Sequence, residues 1–221
     1  MIRRKKQRRA GYANRRDAGR QLAVELTDYA GGETPAVVLG LPRGGVVTAA
    51  AVAECLDLPL DVFCVRKLGV PWHPELAMGA VASGGIRVLN QDVVHHLRIE
   101  GADIEKVAEA ELAELNRRER AYRGDRPPLE LGGRTAILVD DGLATGATAR
   151  AAIAAIRRLR PKQVVLAVPV GPPEAVAELE AVADRLVCVY QPDPFEAVGR
   201  WYVDFRPTSD EEVRSLLEEN L

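Results

Sequence analysis

Cysteine is scarce and unpatterned in this chain. Cys55, Cys64 and Cys188 are odd in number and scattered along 221 residues, with no CxxC pair. That argues against a disulfide framework or a zinc site, and the three are expected to be reduced core thiols of a cytoplasmic protein. No apolar run approaches the roughly 18–20 residues that cross a bilayer, so no membrane span is expected. The basic N-terminus lacks the apolar stretch of a secretory signal. Histidine is equally rare. His95 and His96 are neighbours whose side chains diverge on a helix, a poor pair for a metal. What is there is ordinary globular composition, 47% apolar and 28% charged. At this length it is enough for one domain with a full core.

Charge is uneven. Residues 1–20 hold nine Lys/Arg against one Asp, although the whole chain has a net charge of −2. Residues 1–13, with the run RRKKQRR, read as a basic arm. It is either a solvated terminus or a contact for nucleic acid or an anionic surface. Residues 14–221 read as a single domain opened by Asn14, a candidate helix N-cap.

The segments AVVLG (36–40), LDVFCV (60–65), TAILV (135–139), QVVLAVPV (163–170) and RLVCVY (185–190) are short continuous apolar runs between helical stretches. Such runs predict a parallel sheet covered on both faces, a doubly wound α/β fold. Its ligand site belongs at the C-terminal ends of the strands. Three segments break the alternation. AMGAVASGGIRVL (77–89) predicts a β-hairpin turning at residues 83–85, a candidate flap. Residues 91–125 predict a helical insertion, amphipathic over 103–122, which would support a homodimer or cover the sheet. Residues 191–205 are a candidate small hood.

One stretch carries chemistry: ILVDDGLATGATA, residues 137–149. Asp140 and Asp141 stand side by side at the end of a buried strand, where they repel and lose solvent. Ionised carboxylates only accept hydrogen bonds, so two neighbours match donors on adjacent carbons, the cis-diol of a ribose. The loop after them leads into a helix, and its N–H groups and the helix dipole suit a phosphate. Thr145 and Thr148 add hydroxyls, and Gly146 lets the backbone approach closely. The loop has no Lys for a Walker A motif, and no GxGxxG follows the first strand. An Asp-capped helix after a turn explains one acid, less easily two. A receiver domain also carries VDD, but on its first strand.

The stretch resembles the phosphoribosyl-pyrophosphate motif of type I phosphoribosyltransferases. The order LPRGG, VRKLG, PELAMGAV, VDDGLATGAT, FEAVGRWYVDF resembles a bacterial phosphoribosyltransferase-like subgroup, from about Asn14 onward. The resemblance implies that Asp140 and Asp141 bind the ribose hydroxyls and that Ala144, Thr145, Gly146, Ala147 and Thr148 hold the 5-phosphate. Pro42, Arg43, Gly44 and Gly45 would hold pyrophosphate, with a non-proline cis peptide at Pro42–Arg43. Arg66 and Lys67, at the end of the second strand, would neutralise it. Residues 69–82 would be a mobile catalytic loop, with His73 and Glu75 as candidates on it. Phe195 and Trp201 would line an acceptor hood. Asp204 would lie near a Mg²⁺ held mostly by ligand oxygens and water.

The implied reaction displaces pyrophosphate from phosphoribosyl pyrophosphate by a nitrogen acceptor, with a nucleobase as the expected acceptor and the cytoplasm as the expected setting. Ala144 stands where 6-oxopurine enzymes commonly carry an Asp, which argues against that subclass. The other reading is a non-catalytic sensor of phosphoribosyl pyrophosphate or nucleotides, RNA-binding through the basic arm.

Overall fold

The computed structural model describes residues 11–32 and 34–220. The arm expected at 1–13 therefore lies outside the described residues up to residue 10. Tyr12, expected within it, is instead part of the domain. Its side chain is buried, its hydroxyl donates to the Pro169 carbonyl at 2.8 Å, and it bridges to Tyr202.

The expected parallel sheet is present. Strands β1 (Ala36–Gly40), β2 (Leu60–Val62), β6 (Thr135–Val139), β7 (Gln163–Val170) and β8 (Arg185–Tyr190) form it in the order β2-β1-β6-β7-β8. All four pairings are parallel. Alternate residues feed opposite faces. Val38, Ile137 and Val165 enter one core cluster with Leu22 and Val46, whereas Val37, Leu138 and Val164 enter another with Ile153 and Val176. Both faces are thus covered. Helices α1 (Arg15–Val24), α2 (Gly44–Leu56) and α7 (Asp210–Glu219) supply the first cluster, and α5 (Ala147–Ile156) and α6 (Pro173–Glu180) the second. Continuous apolar strands require that arrangement.

A second sheet is antiparallel, built from β3 (Val65–Val70), β4 (His73–Ala82) and β5 (Ile86–Leu89). The single strand expected over 60–65 is therefore split. Pairing with β1 stops at Val62, and Val65 already pairs with Ala82. Between them the Phe63 amide donates to the Gly40 carbonyl, while the Cys64 amide donates to the Ser83 hydroxyl. The hairpin expected at 77–89 forms, turning at Ser83–Gly85, but it is no loose flap: Ala80, Val81, Ala82 and Ser83 are buried. The other hairpin, between β3 and β4, is the one that protrudes. Trp72 near its turn is 60% exposed.

The helical insertion comprises α3 (Gln91–His96) and α4 (Gly101–Arg123), with Ile104, Ala108, Leu115 and Tyr122 of α4 buried against the body. No helix among the described residues is long and apolar enough to cross a membrane.

Asn14 caps α1 as its sequence predicts. Its side chain accepts from the Asp17 amide at 3.0 Å, and Asp17 accepts from the Ala13 amide at 2.9 Å. Asn14→Ala is expected to lower stability by about 1 kcal/mol, measured by urea unfolding.

Candidate functional site

The chain runs outward from β1 to β2, then continues on the other side of β1 with β6, β7 and β8. The strand order thus reverses between β1 and β6, and the space beyond the C-terminal ends of such strands is the usual ligand position in these sheets. The loop after β1 holds Leu41, Pro42 and Arg43. The loop after β6 begins with Asp140 and Asp141. Topology therefore brings the two motif loops together.

They meet closely. A Cβ on Gly44 would lie 2.1 Å from Asp141 Oδ2, and one on Gly45 would lie 2.8 Å from Asp140 Oδ1. The first turn of α2 can sit against the acid pair only because these residues lack side chains. Pro42–Arg43 is a cis peptide, as the resemblance implies. The Arg43 side chain points away, to Asp210 of α7 at 3.8 Å.

The acids differ in their surroundings. Asp140 Oδ1 accepts from the Asp141 amide at 2.8 Å. Burial, and then the charge of Asp141, push the Asp140 carboxyl well above the usual carboxylate range. Burial raises Asp141 too, but the Arg15 guanidinium opposes it, with Arg15 Nε donating to Asp141 Oδ2 at 2.7 Å. Two carboxyls this close do not ionise together easily. The first negative charge of the pair belongs on Asp141, beside the cation.

After the acids the loop turns through Gly146, whose φ of +72° is the left-handed conformation that favours glycine, and α5 begins at Ala147. Ala144, Thr145, Ala147 and Thr148 are exposed around this helix N-terminus. The exposed loop and the ten-residue helix behind it offer backbone N–H groups and a favourable dipole to an anion.

Two predicted residues sit elsewhere than expected. Arg66 and Lys67 are not at a strand end of the parallel sheet; they lie within β3. Arg66 is ion-paired with Glu111 of α4, and Lys67 Nζ lies 3.6 Å from Glu75 Oε2. Residues 69–82 are mainly strand, not loop, because β3 and β4 pair almost to the turn. His73 and Glu75 are exposed near that turn. Asp204 is engaged by Arg206 at 2.7 Å, which holds its carboxyl below the usual range. Both line an open polar cavity of about 420 Å³ with Asn14, Arg15 and Thr208. Trp201 packs into the aromatic cluster of Tyr12, Tyr190, Tyr202 and Phe205, while Phe195 is half-buried.

Sequence reasoning missed three residues at the acid pair. Arg15 stacks on the Phe205 ring at 3.9 Å and donates through Nη1 to the Arg206 carbonyl at 2.8 Å. Phe205 packs on Tyr202 with ring centroids 4.9 Å apart. The Tyr202 hydroxyl donates to the Asp141 carbonyl.

Comparisons with known proteins bear on the family and the fold. The family model of the phosphoribosyl transferase domain matches residues 12–206. Two Mycobacterium tuberculosis proteins, from strains CDC 1551 / Oshkosh and ATCC 25618 / H37Rv, are provisionally named phosphoribosyl transferases. Each is 49% identical over 207 residues, which are 94% of this chain and 46% of the relative. The chain thus spans about half the length of these relatives. The crystal structure of TT1426 from Thermus thermophilus is 42% identical and superposes with a TM-score of 0.86, covering 95% of this chain and 99% of that one.

Proposed function

The chain belongs to the phosphoribosyl transferase domain family, and we propose that it transfers ribose 5-phosphate from phosphoribosyl pyrophosphate to a nitrogen acceptor, a nucleobase or a related compound. The observation that carries this reading is the contact of the two motif loops. Gly44 and Gly45 abut Asp141 and Asp140 across the strand-order reversal. The same strand ends then offer acceptors for a diol, an N-terminal helix turn for the 5-phosphate at residues 144–148, and a second at residues 42–45 for pyrophosphate.

In the reaction the C1–oxygen bond to pyrophosphate breaks, a C1–nitrogen bond forms, and the nitrogen gives up its proton. The transition state carries positive charge on the sugar ring. Asp140 and Asp141 hold the ring from its hydroxyls, and the loop after β1 holds the departing anion. Arg66 and Lys67, paired with Glu111 and Glu75 in this structure, would help neutralise the pyrophosphate by turning from those partners toward it. Mg²⁺ would be held mostly by phosphate and water oxygens, with Asp204 as the candidate carboxylate reaching it through water, and would supply neutralisation of the leaving group.

Calorimetry with phosphoribosyl pyrophosphate and Mg²⁺ tests the reading. Wild type is expected to bind, and Asp140→Asn/Asp141→Asn to show no binding. Wild type that fails to bind sinks the proposal. Binding with no turnover on any nitrogen base would favour the sensor reading instead.

A further inference from the structure

The acid pair is fixed by groups that the proposed reaction does not consume. Each carboxylate has two oxygens, and one of each is already occupied. Asp140 Oδ1 accepts from the Asp141 amide at 2.8 Å, and Asp141 Oδ2 accepts from Arg15 Nε at 2.7 Å. Arg15 is itself held. It is the first residue of α1, behind the Asn14 cap. Its Nη1 donates to the Arg206 carbonyl at 2.8 Å, and its guanidinium carbon lies over Phe205, 3.9 Å from the ring centroid. Its side chain is 11% exposed. A guanidinium that is stacked, hydrogen-bonded and desolvated has little rotamer freedom left, so it orients the carboxylate it touches.

We propose that Arg15 is the positioning residue of the diol site: together with the Asp141 amide it takes one oxygen of each acid and so presents Asp140 Oδ2 and Asp141 Oδ1 to the two sugar hydroxyls. This rests on the ribose reading above. Arg15 also keeps Asp141 an acceptor, because its charge favours the ionised form next to a second carboxyl. Among the described residues no second cation is paired with either acid. The α2 side contributes only Gly44 and Gly45, Arg43 is turned to Asp210, and the hood contributes the Tyr202 hydroxyl, which is engaged with the Asp141 carbonyl.

The test compares wild type, Arg15→Gln and Arg15→Lys by calorimetry with phosphoribosyl pyrophosphate and Mg²⁺ from pH 5 to 8. The carboxyl ¹³C signals of Asp140 and Asp141 are titrated in the ligand-free proteins. Loss of a charge-assisted bond predicts binding weaker by about tenfold or more for Arg15→Gln. Removing the cation raises the carboxyl pKa, so the acid limb of binding and the ¹³C titration should both move up by about one pH unit. Arg15→Lys keeps a charge but cannot stack and bond two acceptors at once. It should restore the pH position and leave affinity short of wild type. Should Arg15→Gln fold poorly, Phe205→Leu, which removes the platform and keeps the charge, should weaken binding without moving the pH limb. Wild type that binds, with Arg15→Gln equal to it in affinity and pH limb, overturns the role of Arg15 alone. Wild type that does not bind overturns the ribose reading, while the ligand-free titration still reports whether Arg15 controls the acids.

Discussion

Asp140→Asn should make the ligand-free protein more stable and Asp141→Asn less stable, although both should lose on the order of a hundredfold or more in ligand affinity. The residues are adjacent, and their environments give them opposite signs. Asp140 is buried beside a like charge and, among the described residues, is paired with no cation. Its hydrogen bond, from the Asp141 amide to Oδ1, can equally be accepted by an Asn carbonyl. Replacement removes a repulsion and keeps the bond, for a gain of about 0.5–2 kcal/mol. Asp141 is the counterion of Arg15, whose side chain is 11% exposed. Its replacement leaves a largely desolvated guanidinium without an ionic partner, at a cost of about 1–3 kcal/mol.

The pH dependence has a definite sign. A carboxyl whose folded pKa is raised favours folding below the ordinary carboxylate pKa, and that contribution is lost as pH rises through the folded value. The advantage of Asp140→Asn over wild type should therefore grow toward neutral pH and vanish in acid. Urea unfolding at several pH values, beside calorimetric titration, checks both parts. Equal destabilisation by the two substitutions would mean that the acids are not electrostatically distinct.

Most of the parallel sheet was legible in the sequence because each strand is a local apolar run and each turn uses its own residues. The same holds for the acid pair, the glycines of the loop after β1, and Asn14 as a cap. The misplacements share a cause. Residues 60–65 form one nearly continuous apolar run. Only the competition between β1 and β4 for partners decides that the chain leaves the parallel sheet at Phe63 and joins the antiparallel one at Val65. Arg66 and Lys67 moved with it, from a strand end into a hairpin strand. Arg15 was invisible for a different reason. It sits next to Arg16 in a strongly basic stretch, and its partner is 126 positions away. No local pattern tells a buried, paired guanidinium from its solvated neighbours. Phe205 and Tyr202 are likewise defined by what the hood folds onto, which the sequence around Phe195 and Trp201 does not reveal.

Gly44→Ala is the sharpest expectation of the close approach between the two loops. Gly44 has no unusual φ, so glycine is needed there for space rather than for backbone conformation. In a helix, alanine is ordinarily preferred over glycine by about 1 kcal/mol, and an unconstrained first-turn glycine should gain from the change. Here the added Cβ would lie 2.1 Å from Asp141 Oδ2 and 2.6 Å from Arg15 Nε. Neither atom can stay. The carboxylate must rotate, its bond to Arg15 must break, and the oxygen meant for the sugar must turn away. Binding of phosphoribosyl pyrophosphate should fall as far as in Asp141→Asn, with stability unchanged or lower despite the gain in helix propensity. Gly101→Ala supplies the control. Gly101 also opens a helix, but an added Cβ there meets nothing within 4 Å. It should be neutral or stabilising and leave binding untouched. Gly44→Ala that behaves like Gly101→Ala in both calorimetry and urea unfolding would show that the loop after β1 yields without disturbing the acids. The contact that carries the functional reading would then have no energetic content.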